Sequence, residues 1–506
     1  MSRRLLHELL EASAAAGPER IAVVDGPRSL TYGELDRRAN GLAHLLRDRG
    51  VAHGDRVGLL LDKSIESLVG IYGVLKAGAA YVPFDPNAPV ARLGYIARDA
   101  GIHCLLIGVT RSADCDALRA AGAPVETLVV LDEDAPAEYP ESPPSVAPDE
   151  SDLAYILYTS GSTGDPKGVM LSHLNARAFV DWAVAEFGVG AGDRLSSHAP
   201  LHFDLSVFDL FAAAAAGAPV VLVPPELSVF PTRLARFMAA TEITVWYSVP
   251  SILTLLVTRG ELEAAQLPRL RLVLFAGEVF PTKYLFRLTQ LLPHVRFANL
   301  YGPTETNVCT WYDVPRPLDG PPEAIPIGRP IAGVDVFAVT DAGDRAAPGE
   351  AGELCVRGPT VMRGYWGDPE RTARAFLSGD GGDGRAYRTG DLVREDREAN
   401  YWYLGRRDAQ IKSRGYRIEL GEIEAALNAH PSVVECAVTA IPDELIGNRI
   451  SAHVVVRDEV GQTDLAAFCA TRVPHYMVPE TFAFRPALPK TSTGKTDRRA
   501  LAHQIV

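Results

Sequence analysis

At 506 residues, 47% of them hydrophobic and 22% charged, the chain is too long for one ordinary core and has the balance of a globular protein of two or more domains. A net charge of −13 argues against nucleic acid as a bulk partner, since phosphate binding needs a basic face. The 6 cysteines are scattered without a C-x-x-C pair, so disulfides and a zinc site are not expected, and no uncharged apolar run reaches the ~20 residues of a membrane span.

Met1–Gly17 carries Glu8 and Glu11 among its apolar residues and reads as an amphipathic helix rather than a signal peptide, which points to the cytoplasm. Thr31 followed by Glu34 has the form of a capping box opening a helix through Leu46. Val57–Leu61, Leu105–Val109 and Leu128–Leu131 read as buried strands. Strands alternating with helices predict an α/β protein: a large N-terminal domain with parallel-rich sheets packed by helices. Pro136–Pro148 reads as a surface loop. Composition shifts near Gly379–Arg385. From about Asp408 a different pattern follows, with helices over Gly421–Ala429 and Thr463–Val473 and strands over Val433–Val438 and Ile450–Val456. The expected organisation is a large domain over 1–407 and a small mobile α+β domain over 408–506.

The most informative stretch follows the strand-like Leu153–Tyr158. Thr159, Ser160, Gly161, Ser162, Thr163, Gly164 and Lys167 place hydroxyls, glycines and a lysine in one short loop. Glycines let backbone N–H groups approach an anion, hydroxyls add donors and the lysine adds charge, so the loop suits a polyphosphate. It is not a Walker A loop: the chain's single Gly-Lys-Thr, at Gly494–Thr496, has Pro489 where the first glycine belongs.

This loop resembles the signature of the ANL superfamily of adenylate-forming enzymes, which includes acyl-CoA synthetases, nonribosomal-peptide adenylation domains and luciferases. Further signatures stand in family order: Leu75–Pro83, Phe203–Ser206, Asn299–Glu305, Gly352–Leu354, Tyr387–Leu392, Gly405–Asp408, Lys412–Glu419 and Pro489–Lys495. The resemblance implies ATP as a substrate and Mg²⁺ held by Glu305. It gives the phosphates to the loop, with Thr304 at the α-phosphate. Tyr301 is implied to stack on adenine in a base pocket lined by Gly277, Glu278 and Val279, with Asn299 and Gly302 nearby. Asp391 is implied to hold the ribose, flanked by Tyr403 and Arg406. Lys495 becomes the catalytic cation bridging substrate carboxylate and α-phosphate, and Asp408 the hinge about which the small domain turns, bringing Lys412–Gly415 to the site as Lys495 leaves it. Thr493 stands where the family usually has Asn.

Asp204 occupies the position at which amino-acid-activating members grip the α-ammonium, a charge-assisted contact. The rest of the pocket is implied to be Leu205, Phe208, Tyr247, Leu274, Ala276, Leu300, Val308 and Cys309, with Lys495 at the mouth. This mostly apolar, restricted lining suits a compact aliphatic amino acid, and it resembles that of free-standing L-proline adenylation enzymes. The expected activity is formation of prolyl-AMP and transfer to the phosphopantetheine thiol of a separate carrier protein docking in trans, with Arg498 and Arg499 as candidates for a basic docking patch. D-alanine or another small amino acid is the alternative, although D-alanine ligases typically carry cysteine where Ala276 stands. An acyl-CoA synthetase and a catalytically dead homologue remain as further readings.

Overall fold

The computed structural model describes the chain except residues 1–4, 134–137, 162–163, 263–265, 378–384, 409, 490–495, 497 and 503–506. The first helix, His7–Ala16, turns Leu9 and Leu10 inward, and Leu6 just before it is buried as well. The Thr31–Glu34 capping box forms: the Thr31 side chain accepts from the Glu34 amide at 3.2 Å, and the Glu34 carboxylate accepts from the Thr31 amide at 2.7 Å. It opens the helix Tyr32–Asp48. The Ala-rich stretch after Phe211 is the end of an 11-residue helix, Ser206–Ala216. Gly217 stops it in the left-handed conformation, and the short strand Val220–Leu222 follows. Among the described residues no helix is long and apolar enough to cross a membrane.

Two large sheets carry the N-terminal part. In the nine-stranded sheet the six central strands run parallel, among them Val245–Ser248, Leu272–Ala276 and Arg296–Tyr301 side by side. The seven-stranded sheet is parallel through Ala80–Pro83, Arg56–Leu60, Cys104–Gly108 and Thr127–Leu131, and turns antiparallel where Leu153–Thr159 meets Lys167–Ser172. Helices buried between the sheets, such as Ile65–Lys76, join both to one core. This is the helix-covered, parallel-rich architecture that alternating strands and helices dictate. A four-stranded antiparallel sheet ends with Tyr387–Glu395 and Tyr401–Arg406.

After Arg406 the chain forms a two-stranded hairpin, Gln410–Ser413 with Tyr416–Glu419, and then the helix Leu420–Asn428. A three-stranded sheet, Val433–Asp443, Gly447–Val456 and Thr481–Phe484, and the helix Gln462–Ala470 complete it. These elements bury a separate apolar core that includes Ile418, Ile423, Leu427, Val438 and Leu465. Fold position now sets the site: the three adjacent parallel strands end at Ser248, Ala276 and Tyr301, and crevices beyond the carboxyl ends of such strands are where ligands bind.

Candidate active site

A cavity of about 850 Å³ opens at those strand ends and is closed on its far side by the hairpin that follows Arg406. Strand register fixes one wall: Tyr247 lies beside Leu274, and Ala276 beside Leu300. The loops that leave the strands supply the rest, with Gly277, Glu278 and Val279 from one and Tyr301, Gly302, Thr304, Asn307 and Val308 from another. Gly302 is required there, since a Cβ would lie 1.6 Å from the Asn307 carbonyl oxygen.

At one end sits Asp204, just before the helix Ser206–Ala216, with Leu205, Tyr247, Ala276, Leu300 and Val308 as its neighbours on the wall. Withdrawal from bulk water raises the Asp204 carboxyl above the ordinary carboxylate range, opposed by the hydroxyl of Thr304, which donates to Oδ2 at 2.7 Å. Thr304, expected at the α-phosphate, is therefore turned toward Asp204. A carboxylate facing apolar walls takes the nearest donor. Phe208, Leu274 and Cys309 do not reach the wall. Phe208 packs edge-on behind Tyr247, ring centroids 5.5 Å apart, and the other two are sealed in the core. Phe179 lines the cavity instead, from the helix His173–Phe187. Nothing in its local sequence marks it, because its place depends on helix packing across the sheet.

Toward the middle, Asp391 accepts from the Tyr301 hydroxyl and from Arg406 Nη1 at 2.8 Å, and Asp391, Tyr403, Arg406 and Asp408 all border the cavity. Arg406 also grips Asp408, Nε to Oδ1 at 2.7 Å. Asn299 lies on the same border, its Nδ2 donating to the Pro326 carbonyl at 2.9 Å. The hairpin delivers Lys412 and Gly415 to the far wall. The Gly415 amide donates to Glu278 Oε1 at 2.5 Å, and at φ +82° a Cβ there would lie 2.4 Å from Val249. Burial depresses the Lys412 ammonium, while Asp391 and Asp204 act to raise it. The segment expected to approach the site in one of two arrangements is thus at the site in this structure.

Beside the cavity, beyond its lining residues Thr304 and Arg417, the phosphate loop and Glu305 are crowded with charge. Glu305 is wholly buried. Its Oε2 accepts from Arg417 Nη1 at 2.7 Å, and its Oε1 lies 3.2 Å from Lys167 Nζ and accepts from the Tyr365 hydroxyl at 2.8 Å. Burial alone would raise this carboxyl, but Arg417 and Lys167 hold it well below the ordinary range. Lys167 is pulled down to about 8 by burial and the nearby Arg417. The Ser160 hydroxyl donates to the Arg417 carbonyl at 2.8 Å, the Gly161 amide donates to Glu422, and Thr159 Oγ1 is buried without a hydrogen-bond partner among the described residues. Gly164 adopts φ +98° in the same turn. Ser162, Thr163 and Lys495 lie outside the described residues. Arg498, a candidate docking charge, pairs with Glu424 at 2.7 Å while its side chain stays 41% exposed. Arg417 and Glu422 were not assigned roles from sequence, although Arg417 sits inside a motif; their partners lie more than a hundred residues away.

Residues 10–366 match the AMP-binding enzyme family, and residues 422–495 match the AMP-binding enzyme C-terminal domain. Over 99% of both chains the sequence is 43% identical to an L-proline--[L-prolyl-carrier protein] ligase of Pseudomonas fluorescens. A Streptomyces coelicolor protein of the same description is 40% identical over 94% of this chain and 92% of its own. An artificially fused adenylation–PCP di-domain from Klebsiella oxytoca superposes with a TM-score of 0.83, at 25% identity over 96% of this chain and 94% of that one. The chain belongs to the AMP-binding, adenylate-forming enzymes, with which its fold and motif order agree.

Proposed function

We propose that this enzyme joins L-proline to AMP with release of pyrophosphate, then passes the prolyl group to the phosphopantetheine thiol of a carrier protein. The observation that carries the reading is Asp204: one carboxylate at the end of an apolar cleft that is continuous with Tyr301, Asp391 and the Gly277–Val279 loop. That carboxylate neutralises the prolinium nitrogen, and Leu205, Tyr247, Ala276, Leu300 and Val308 enclose the ring and exclude water. Three ring methylenes at ~0.8 kcal/mol each favour proline over glycine by roughly 2 kcal/mol.

The nucleotide is assigned to the middle of the cleft, with adenine between Tyr301 and the Gly277–Val279 loop and the ribose hydroxyls on Asp391. The phosphates are assigned to the Thr159–Lys167 loop, where the Thr159 hydroxyl, unpartnered among the described residues, the Gly161 amide and the Lys167 ammonium are donors suited to anionic oxygens. The residues also fit Mg²⁺. Glu305 is a single hard carboxylate kept ionised beside that loop, and this ion takes one or two protein oxygens with water and phosphate for the rest. When bound, the ion neutralises phosphate charge and so eases the approach of a carboxylate. Lys495, by its motif position, brings its ammonium to the attacking carboxylate and the α-phosphate, where negative charge concentrates as the adenylate forms. Turning of the small domain, residues 408–506, about Asp408 would exchange Lys495 for the Lys412–Gly415 hairpin between the two half-reactions.

Proline-dependent ATP–pyrophosphate exchange across the twenty amino acids and D-alanine tests the assignment. Proline should dominate, and exchange supported mainly by D-alanine, or by fatty or aryl acids alone, would overturn it.

A further inference from the structure

Two charged side chains of the C-terminal part reach the phosphate loop and Glu305, and each meets a group that the proposed function gives to magnesium pyrophosphate. Glu422, in the first turn of the helix Leu420–Asn428, accepts the Gly161 amide on Oε2 at 3.3 Å; its other oxygen is paired with Arg92 of the helix Val90–Asp99. A carboxylate thus sits on a loop amide suited to a phosphate oxygen. Arg417 places Nη1 2.7 Å from Glu305 Oε2, so a guanidinium sits on the carboxylate suited to the metal. The Ser160 hydroxyl donates to the carbonyl of the same Arg417 at 2.8 Å. Glu305, Glu422, Arg92 and Ser160 are all buried, which leaves no room at these contacts for bulk water.

From this geometry we infer that Arg417 and Glu422 are positioning residues that replace the departing metal and pyrophosphate charge for charge, so that this seating of the C-terminal part and bound magnesium pyrophosphate exclude one another. Pyrophosphate on the loop would face the Glu422 carboxylate, and a cation on Glu305 would face the Arg417 guanidinium. Both are like-charge contacts in a site with little solvent to screen them. Conversely, once the leaving group has gone, a seat that supplies its own cation to Glu305 and its own anion to Gly161 leaves neither buried group unpaired. The inference rests on the adenylate-forming reading, but not on proline being the substrate.

The test is calorimetric titration of inorganic pyrophosphate with Mg²⁺ into the full chain, with neither ATP nor amino acid present. Because the seated arrangement competes with the ligand, Arg417→Met and Glu422→Gln should each bind magnesium pyrophosphate about fivefold or more tightly than the unmodified chain. Arg92→Met, which loosens Glu422 without touching the loop, should give a smaller gain of the same sign and serves if Glu422→Gln fails to fold. Energy transfer between fluorophores on the two parts of the unmodified chain should also change on adding magnesium pyrophosphate. Unchanged or weaker binding by Arg417→Met, or an energy-transfer signal that does not respond, overturns the inference. A chain that ignores proline in exchange assays but passes this titration would lose only the substrate assignment.

Discussion

The surroundings of Asp204 and those of Glu305 are built on opposite terms. Around Asp204 stand a wall of Leu205, Tyr247, Ala276, Leu300 and Val308 and the Thr304 hydroxyl as direct donor, while the charges of Lys412, Glu305 and Arg417 act on it through space, so selection there is chiefly a matter of volume. Around Glu305 the side chains are Lys167, Arg417 and Tyr365, the Glu422–Arg92 pair meets the adjoining loop at Gly161, and these contacts are polar. Shape selection changes by a methyl group at a time, each worth about 1–3 kcal/mol. A buried charge network does not: removing one partner strands another, at about 3–5 kcal/mol. The contrast implies that the nucleotide end tolerates little substitution whereas the amino-acid end can be retuned.

The contrast can be broken most decisively at Lys495, the lysine proposed to carry catalysis. Lys495→Ala should lower ATP–pyrophosphate exchange about 10²–10³-fold while the thermal unfolding midpoint stays near that of the unmodified chain; near-normal exchange would remove Lys495 from its assigned role. Next in size is Asp204→Asn, which keeps the shape and deletes the charge. It should raise the KM for proline about 30–100-fold, the equivalent of ~2–3 kcal/mol for a charge-assisted hydrogen bond, with a much smaller effect on the KM for ATP. A parallel rise in both would mean that the two ends are not separate subsites.

How much of this was legible in advance differs between the two ends for a physical reason. Local signals carried well: the Thr31 capping box, the buried strand Arg56–Leu60 read as Val57–Leu61, and the helix Leu420–Asn428 read one residue late. The loop at Thr159–Lys167 was visible because hydroxyls, glycines and a lysine in one short segment have few other uses. Wall membership was not. Phe208 lies four residues from Asp204 on a helix whose inner face packs against the sheet, so it supports Tyr247 from behind, while Phe179 arrives from a helix that no spacing ties to the site. The pairing of Arg417 with Glu305 joins positions 112 apart, and sequence patterning carries no information on it.

Smaller changes sharpen the shape side. Ala276→Val should narrow the cleft where Ala276 lies beside Leu300 and cut kcat/KM for proline about tenfold relative to alanine, measured as a ratio in one exchange assay; an unchanged ratio would place the ring elsewhere. The mildest effect is with pH. Burial raises the Asp204 carboxyl, so in the free enzyme it takes up a proton at higher pH than an ordinary aspartate, and the protonated form cannot hold an ammonium. As pH falls through that raised value the KM for proline should climb while the KM for ATP lags, and Asp204→Asn should flatten the climb. A pH profile for proline that the substitution leaves intact would assign the titration to another group.

Phe203, the residue before Asp204, lies 5.9 Å ring to ring from Tyr416 of the hairpin, and Tyr416 stacks on Tyr476 at 3.7 Å. Asp204, proposed to hold the substrate nitrogen, therefore shares a peptide bond with a foothold for the C-terminal hairpin. Grafting the C-terminal hundred residues of a relative onto this chain would disturb that foothold as well as the proposed hinge at Asp408, and hybrid enzymes built that way should show altered amino-acid preference although the graft replaces none of the apolar wall beside Asp204.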